Sequence, residues 1–297
     1  MPVPAEADHP GLPMPRRLLA IVAISFGTAL FVLDGAVANV ALPTIARELG
    51  VGNGVVTNVV TVYQLVLVMG LLPFANMGDR IGHRRLYQTG QAIFLVATAL
   101  IYFVDSFPVL LAARAGQAVG AALALSVAAA MLREIYPSKS LGSGMGINSV
   151  IVASTYAMAP TLGGFIVEHF DWRWVFVAAA PLAVISLIIG RSLPEPRPRR
   201  DRVPERLSGW WSALTVLLLI GGLQLVTHGE TETLGIVAVV LGVLSAIFLV
   251  RRERARANPV VPVDLMAMPV LGLSALAAIA AFLASSSLMV ALPFRFE

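Results

Sequence analysis

The 297-residue chain has no cysteine, which rules out disulfides, thiolate metal sites and a cysteine nucleophile. Charge is scarce: Asp, Glu, Lys and Arg make up 13% of the residues, against 58% hydrophobic ones. That is too little polar surface for a water-soluble protein of this length. The four histidines, His9, His83, His169 and His228, are scattered along the chain, whereas a metal site needs clustered ligands. Each reads as a loop or interface residue, and neither a metal nor another cofactor is expected. The sequence offers no His/Asp/Glu cluster, nucleophile motif or phosphate-cradling glycine loop, so a membrane enzyme finds no support. The segment before Arg16 lacks the basic start of a secretory signal.

The apolar residues come in long blocks, each able to cross a bilayer as a helix. We read about nine spans, at 17–42, 54–77, 86–104, 107–131, 143–167, 173–191, 209–228, 233–250 and 269–292. The expected organisation is a disordered cytoplasmic tail over 1–16, a six-helix unit over 17–191 and a basic, proline-rich loop over 192–208. Two additional helices follow over 209–250, then a loop over 251–268 and one more helix within 269–297. The net charge of +4 is not a nucleic-acid signal, because the basic residues sit in short loops between the blocks. With the N-terminus in the cytoplasm, seventeen of the 21 Lys and Arg lie inside and only Arg47, Arg173 and Arg295 lie outside. This bias predicts an N-in, multi-pass protein of the cell membrane with the lipid bilayer as its solvent. Trp172 and Trp174 then fall at an outer end, and Trp210 and Trp211 at an inner end.

Two charges lie well inside spans, Asp34 and Arg114, and each is costly there unless it faces protein or water. Asp34 lies about 12 Å below the outer end of the first span and Arg114 about 9 Å below that of the fourth, at ~1.5 Å rise per residue. Their similar depths allow an ion pair. Such a pair either holds two helices together or marks a proton path, since an acid inside a membrane protein commonly serves ion movement. Thr57, Thr61 and Gln64 share one face of the second span, and Arg114, Gln117, Ala118 and Ala121 share one face of the fourth. On the fifth, Gly142, Gly146, Ser149, Ala153, Tyr156, Pro160 and Gly164 form a stripe. Small residues allow close helix approach, and close packing alone explains most of that stripe. Thr57, Thr61, Gln64, Gln117 and Tyr156 are the candidate cavity-lining residues.

Four segments, in this order and spacing, resemble the major facilitator superfamily, and within it the fourteen-helix drug:proton antiporters. They are Leu33-Asp34-Gly35 through Leu42-Pro43, Gly78-Asp79-Arg80-Ile81-Gly82-His83-Arg84-Arg85, Arg114-Ala115-Gly116-Gln117 through Ala122, and Ala159-Pro160-Thr161-Leu162-Gly163-Gly164. Trp172-Arg173-Trp174-Val175-Phe176 matches the usual entry to the sixth helix. The sequence departs from the family pattern at Asn58, Ala75, Ala118, Thr155 and Ala159. The resemblance implies an all-α integral membrane fold: the six-helix N-terminal half, two extra helices and the first helix of a second half. It implies proton-coupled export of hydrophobic or amphipathic small molecules such as drugs, with Asp34 as the proton-coupling acid and Arg114 as its modulator. Gly78, Asp79, Arg80, Gly82, Arg84 and Arg85 would form a cytoplasmic gate latch, with simple positive-inside anchoring as the competing reading for the arginines. Pro160, Gly163 and Gly164 would shape the fifth helix. The partners implied are a small-molecule substrate, protons and a missing C-terminal half, without which the chain is not expected to transport. Another facilitator, either a metabolite exporter or an importer, is the alternative function, and an inert fragment the third reading.

Overall fold

A computed structural model describes residues 10–195, 206–227, 231–254 and 268–281. Residues 1–9 of the expected tail, most of the 192–208 and 251–268 loops, and 282–297 lie outside the described residues. The described residues are helices joined by short turns: α1 Arg16–Glu48, α2 Asn53–Ile81, α3 His83–Ile101, α4 Phe107–Ile135, α5 Ser138–His169, α6 Arg173–Ser192, α7 Ser208–Val226, α8 Glu232–Arg254 and α9 Pro269–Ala281. Among the described residues, seven of these are long and apolar enough to cross a membrane, all but α3 and α9. α3 carries His83, Arg84 and Arg85 in its first turn, which dilutes its hydropathy, yet it packs between α4 and α6. α6 is interrupted by a turn at Ala178 and Ala179, and α7 contains a five-residue π segment at Leu217–Gly221.

Each boundary has a local cause. Gly50, at φ 64°, follows α1, and Gly82, at φ 103°, turns the chain from α2 into α3; an L side chain is strained in both conformations. Pro108 stands in the first turn of α4, where its missing N–H costs nothing.

α1 and α4 form the centre. α1 packs against α5 and α6, α4 packs against α2 and α3, and the two helices meet each other. Small residues set the spacing. A Cβ on Gly90 of α3 would lie 2.5 Å from the Gly120 carbonyl oxygen of α4, and one on Gly120 would lie 2.6 Å from that of Gly90. The two backbones touch there, as small residues permit within membranes. α7 lies on α2, with Gly209 against Pro73 and Trp210 edge-on to Phe74. α8 returns along α7, tied by a 2.7 Å hydrogen bond between Thr215 and Ser245. The buried residues concentrate on α1 and α4, whereas α5 and α8 are largely exposed, with Val150, Met158, Leu234 and Leu244 all more than half exposed. Surfaces of this kind are stable against hydrocarbon, not water.

Two details differ from the sequence expectation. Residues 10–15, part of the expected disordered tail, pack on the C-terminal end of α4: the Leu12 N–H donates to the Ile135 carbonyl at 3.1 Å, and Arg17 donates to the Leu12 carbonyl at 2.7 Å. Gly11, at φ 66°, fits where a Cβ would meet Pro137. Trp172, expected at a helix end, is there covered by protein, and its indole N–H donates to Glu48 at 3.0 Å.

Candidate functional site

The meeting of α1 with α4 brings Asp34 to Arg114. The Arg114 Nη1 lies 2.8 Å from Asp34 Oδ2, and both side chains are fully buried. Nη1 also donates to Gln117 Oε1 at 2.6 Å, and the Gln117 amide donates to Thr98 of α3 at 2.7 Å. Gln117 is one helical turn from Arg114, on the same face. Arg114 Nε points to the Val59 carbonyl of α2 at 3.4 Å. The guanidinium lies over the Tyr63 ring at 4.2 Å and near the Phe176 ring at 4.9 Å, and such contacts are strongest when desolvated. The cation is thus clasped by α1, α2 and α6 at once, with α3 reached through Gln117. Tyr63, Thr98 and Phe176 were not among the sequence candidates. The signal for Tyr63 was an aromatic on the apolar face of the second span.

The polar face read from Thr57, Thr61 and Gln64 does not reach this cluster. Thr57 and Gln64 are exposed, Thr61 is half-buried, and the Thr57 hydroxyl donates to the Gly54 carbonyl at 2.6 Å. Gln117 is buried in the cluster, while Tyr156 on α5 is 49% exposed. On α5, Pro160 lies within a continuous helix and is exposed. Gly163 packs on α1, where its Cβ would lie 3.1 Å from Val40, while Gly164 faces open space. An apolar groove of about 460 Å³ runs between α1, α5 and α6, lined by Phe26, Ala29, Leu33, Ile151, Met158 and Leu162 among others.

The turn from α2 to α3 forms a second charged cluster at the N-terminal end of the bundle. Gly78 lets α2 approach α4, since a Cβ there would run into the Val127 side chain. His83 Nε2 lies 3.2 Å from Asp79 Oδ1, and Nδ1 lies 3.5 Å from Glu134 Oε1 of α4. The second distance is that of an ion pair, longer than a formed hydrogen bond. His83 precedes the apolar stretch of α3 that begins at Leu86 and so lies outside the bilayer. Glu134, joined by Asp79, pushes the imidazole pKa above its ordinary value, against the opposing effect of partial burial. Arg84 and Arg85 reach Glu195, after α6, at 3.7 and 3.0 Å. Arg80 is half-buried on the last turn of α2. Of the arginines expected in a latch between two halves, Arg84 and Arg85 are therefore paired with the segment that follows the six-helix unit. Among the described residues, no group of three or more His, Asp or Glu is arranged to hold a metal.

The sequence profile of the Major Facilitator Superfamily matches residues 24–296. The chain belongs to this superfamily. Over 294 residues it is 40% identical to an uncharacterized transporter, YebQ, of Escherichia coli strain K12, covering 98% of this chain and 64% of that protein. It is 29% identical to the riboflavin transporter RibZ of Clostridioides difficile strain 630, over 82% of this chain and 53% of that one. It is 31% identical to the puromycin resistance protein pur8 of Streptomyces alboniger, over 91% of this chain and 54% of that one. The chain thus spans between about half and two thirds of the length of these relatives. In fold it is similar to a bacterial homolog of the human lysosomal transporter Spinster, with a TM-score of 0.54 at 19% identity, covering 80% of this chain and 61% of that one. The superfamily's facilitators are membrane transporters, in keeping with the seven membrane-length helices.

Proposed function

We propose that this facilitator chain serves proton-coupled export of hydrophobic or amphipathic small molecules across the cell membrane, with its N-terminus in the cytoplasm. The observation that carries the reading is the Asp34–Arg114 pair, fully buried and hydrogen-bonded at 2.8 Å in the centre of the bundle. A carboxylate that gains or loses a proton changes its attraction to a guanidinium fixed by α2, by α6 and by Gln117 of its own helix. Protonation would weaken the tie between α1 and α4, and deprotonation would restore it. Each proton crossing the membrane carries about 2.3 kcal/mol per 100 mV, enough to drive uphill movement of a solute. The drug-resistance name of one relative and the apolar groove beside Leu33 support a lipophilic cargo. The stripe Tyr156, Pro160 and Gly164 is exposed or partly so on α5, and is available to face a moving partner.

The test uses membrane vesicles carrying the full-length protein, with the C-terminal half that the resemblance implies, and an imposed pH gradient, with ethidium as an amphipathic probe. Ethidium movement should follow the gradient, and Asp34→Asn should abolish it while protein abundance stays unchanged. Gradient-driven movement that persists in the Asn variant removes Asp34 from the role. A metabolite facilitator is the second reading, favoured by the resemblance to a riboflavin transporter. Riboflavin movement in the same vesicles, without ethidium movement, would establish it instead.

A further inference from the structure

His83 stands between two carboxylates that belong to two other helices. Asp79 ends α2 and faces Nε2 at 3.2 Å; Glu134 ends α4 and faces Nδ1 at 3.5 Å. A neutral imidazole has one N–H and one lone pair. It can satisfy one of these carboxylates, and its lone pair then faces the other. Only the imidazolium presents a donor to each. The arrangement is therefore self-consistent with a proton on the ring and frustrated without one.

The surroundings leave His83 as the variable element. The charged groups near it in sequence and space are Asp79 and Arg80 of α2, Arg84 and Arg85 of α3, and Arg133 and Glu134 of α4; Asp79 and Glu134 contact the ring. Arg84 and Arg85 are directed at Glu195. One residue beyond Glu134, the Ile135 carbonyl receives the Leu12 N–H, which fastens the segment before α1 to the same end. The glycine turn at Gly82 and the close approach at Gly78 hold α2, α3 and α4 together at this point. Arginine, with a pKa above about 12, would make the link permanent; histidine titrates near neutral pH.

We propose that His83 is a proton-operated clasp: protonated, it ties the ends of α2, α3 and α4 together through Asp79 and Glu134, and on losing its proton it releases them. The clasp sits at the N-terminal end of the bundle. It therefore reads cytoplasmic pH, a compartment that rests on the orientation proposed above; the chemistry of the clasp and its test do not. An acidified cytoplasm would hold this end closed, and an alkaline one would loosen it.

The test needs no transport activity. In detergent-solubilised protein with isotope-labelled histidine, the His83 resonance is assigned by its loss in His83→Gln. Its titration midpoint should lie above the ordinary value of about 6.5, and Glu134→Gln should move it downward. Thermal unfolding supplies the second readout. A histidine whose folded pKa is raised stabilises the fold below the ordinary pKa, and that stabilisation is lost as pH rises through the raised value. Between about pH 6 and about pH 9 the wild type should therefore lose more melting temperature than His83→Arg, in which the charge stays on. A midpoint at or below the ordinary value, a midpoint unmoved by Glu134→Gln, or parallel melting curves for wild type and His83→Arg would each overturn the clasp. Should the arginine variant fail to fold, the two midpoints decide by themselves.

Discussion

At the scale of single residues, the balance turns on Arg114. Its cation is fully buried, and its partners come from three other helices or from its own next turn. Removing one member of a buried ion pair leaves an uncompensated charge, which costs roughly 3–5 kcal/mol, whereas replacing both members by apolar residues is often neutral. Arg114→Leu should accordingly lower the melting temperature of the detergent-solubilised protein sharply. The double variant Asp34→Leu with Arg114→Leu should recover most of the loss, although Gln117 and the Val59 carbonyl then lack their donor. A double variant no more stable than Arg114→Leu would mean that the other contacts of Arg114, not its charge, dominate. The ion pair itself was legible in the sequence, because two isolated charges in otherwise apolar spans fall at matching depth. Thr98, 19 residues before Gln117, and Tyr63, on a face of α2 roughly 100° round from Gln64 at the helical ~3.6 residues per turn, were not. Nothing local marks which apolar face of a span meets a cation on another helix.

At the scale of elements, glycine placement divides helix faces that touch from faces that do not. A methyl on Gly120 would lie 2.6 Å from the Phe94 amide nitrogen and the Gly90 carbonyl oxygen, both backbone atoms that cannot turn aside. A methyl on Gly164 meets nothing within 4 Å. Gly120→Ala is expected to push α3 from α4 and to destabilise by about 1–3 kcal/mol, the range for overpacking. Gly164→Ala is expected to leave the melting temperature within a degree or so of wild type. The reverse order in a thermal-shift comparison would show that α3 and α4 do not cross at this pair. Both glycines belong to segments that carried the family resemblance, and nothing in their sequence neighbourhoods tells the packed one from the open one. On α5 the same ambiguity holds: Gly163 is buried on α1, and its neighbour Gly164 looks away from the bundle.

At the scale of the whole molecule, orientation follows from charge. The seventeen-to-three division of basic residues between the two sides sets the expectation that the N-terminus and the 192–208 segment are cytoplasmic. Reporter fusions after Trp172 and after Pro204 should then report opposite sides, with the second cytoplasmic. The same side for both would break the topology of α6, and the inverse result would place the His83 clasp outside the cell. α7 packs on α2 and α8 packs on α7, away from the Asp34–Arg114 centre, which makes the two a lateral addition to the six-helix bundle. Changes there should affect stability more than coupling.

The sequence by itself determined the solvent, the helical class, the order of the spans and the superfamily, because long apolar blocks, basic loops and ordered motifs are properties of adjacent residues. It also determined that Asp34 and Arg114 are the charges that need a partner, since burial in lipid leaves them no alternative. The tertiary structure decided which helix faces meet. That choice put Tyr63, Thr98 and Phe176 around the guanidinium, turned Thr57 and Gln64 away from it, packed residues 10–15 onto α4 and set His83 between Asp79 and Glu134. These contacts join helices far apart in the chain, and they depend on a rotation of each helix about its axis that no span of apolar residues encodes locally.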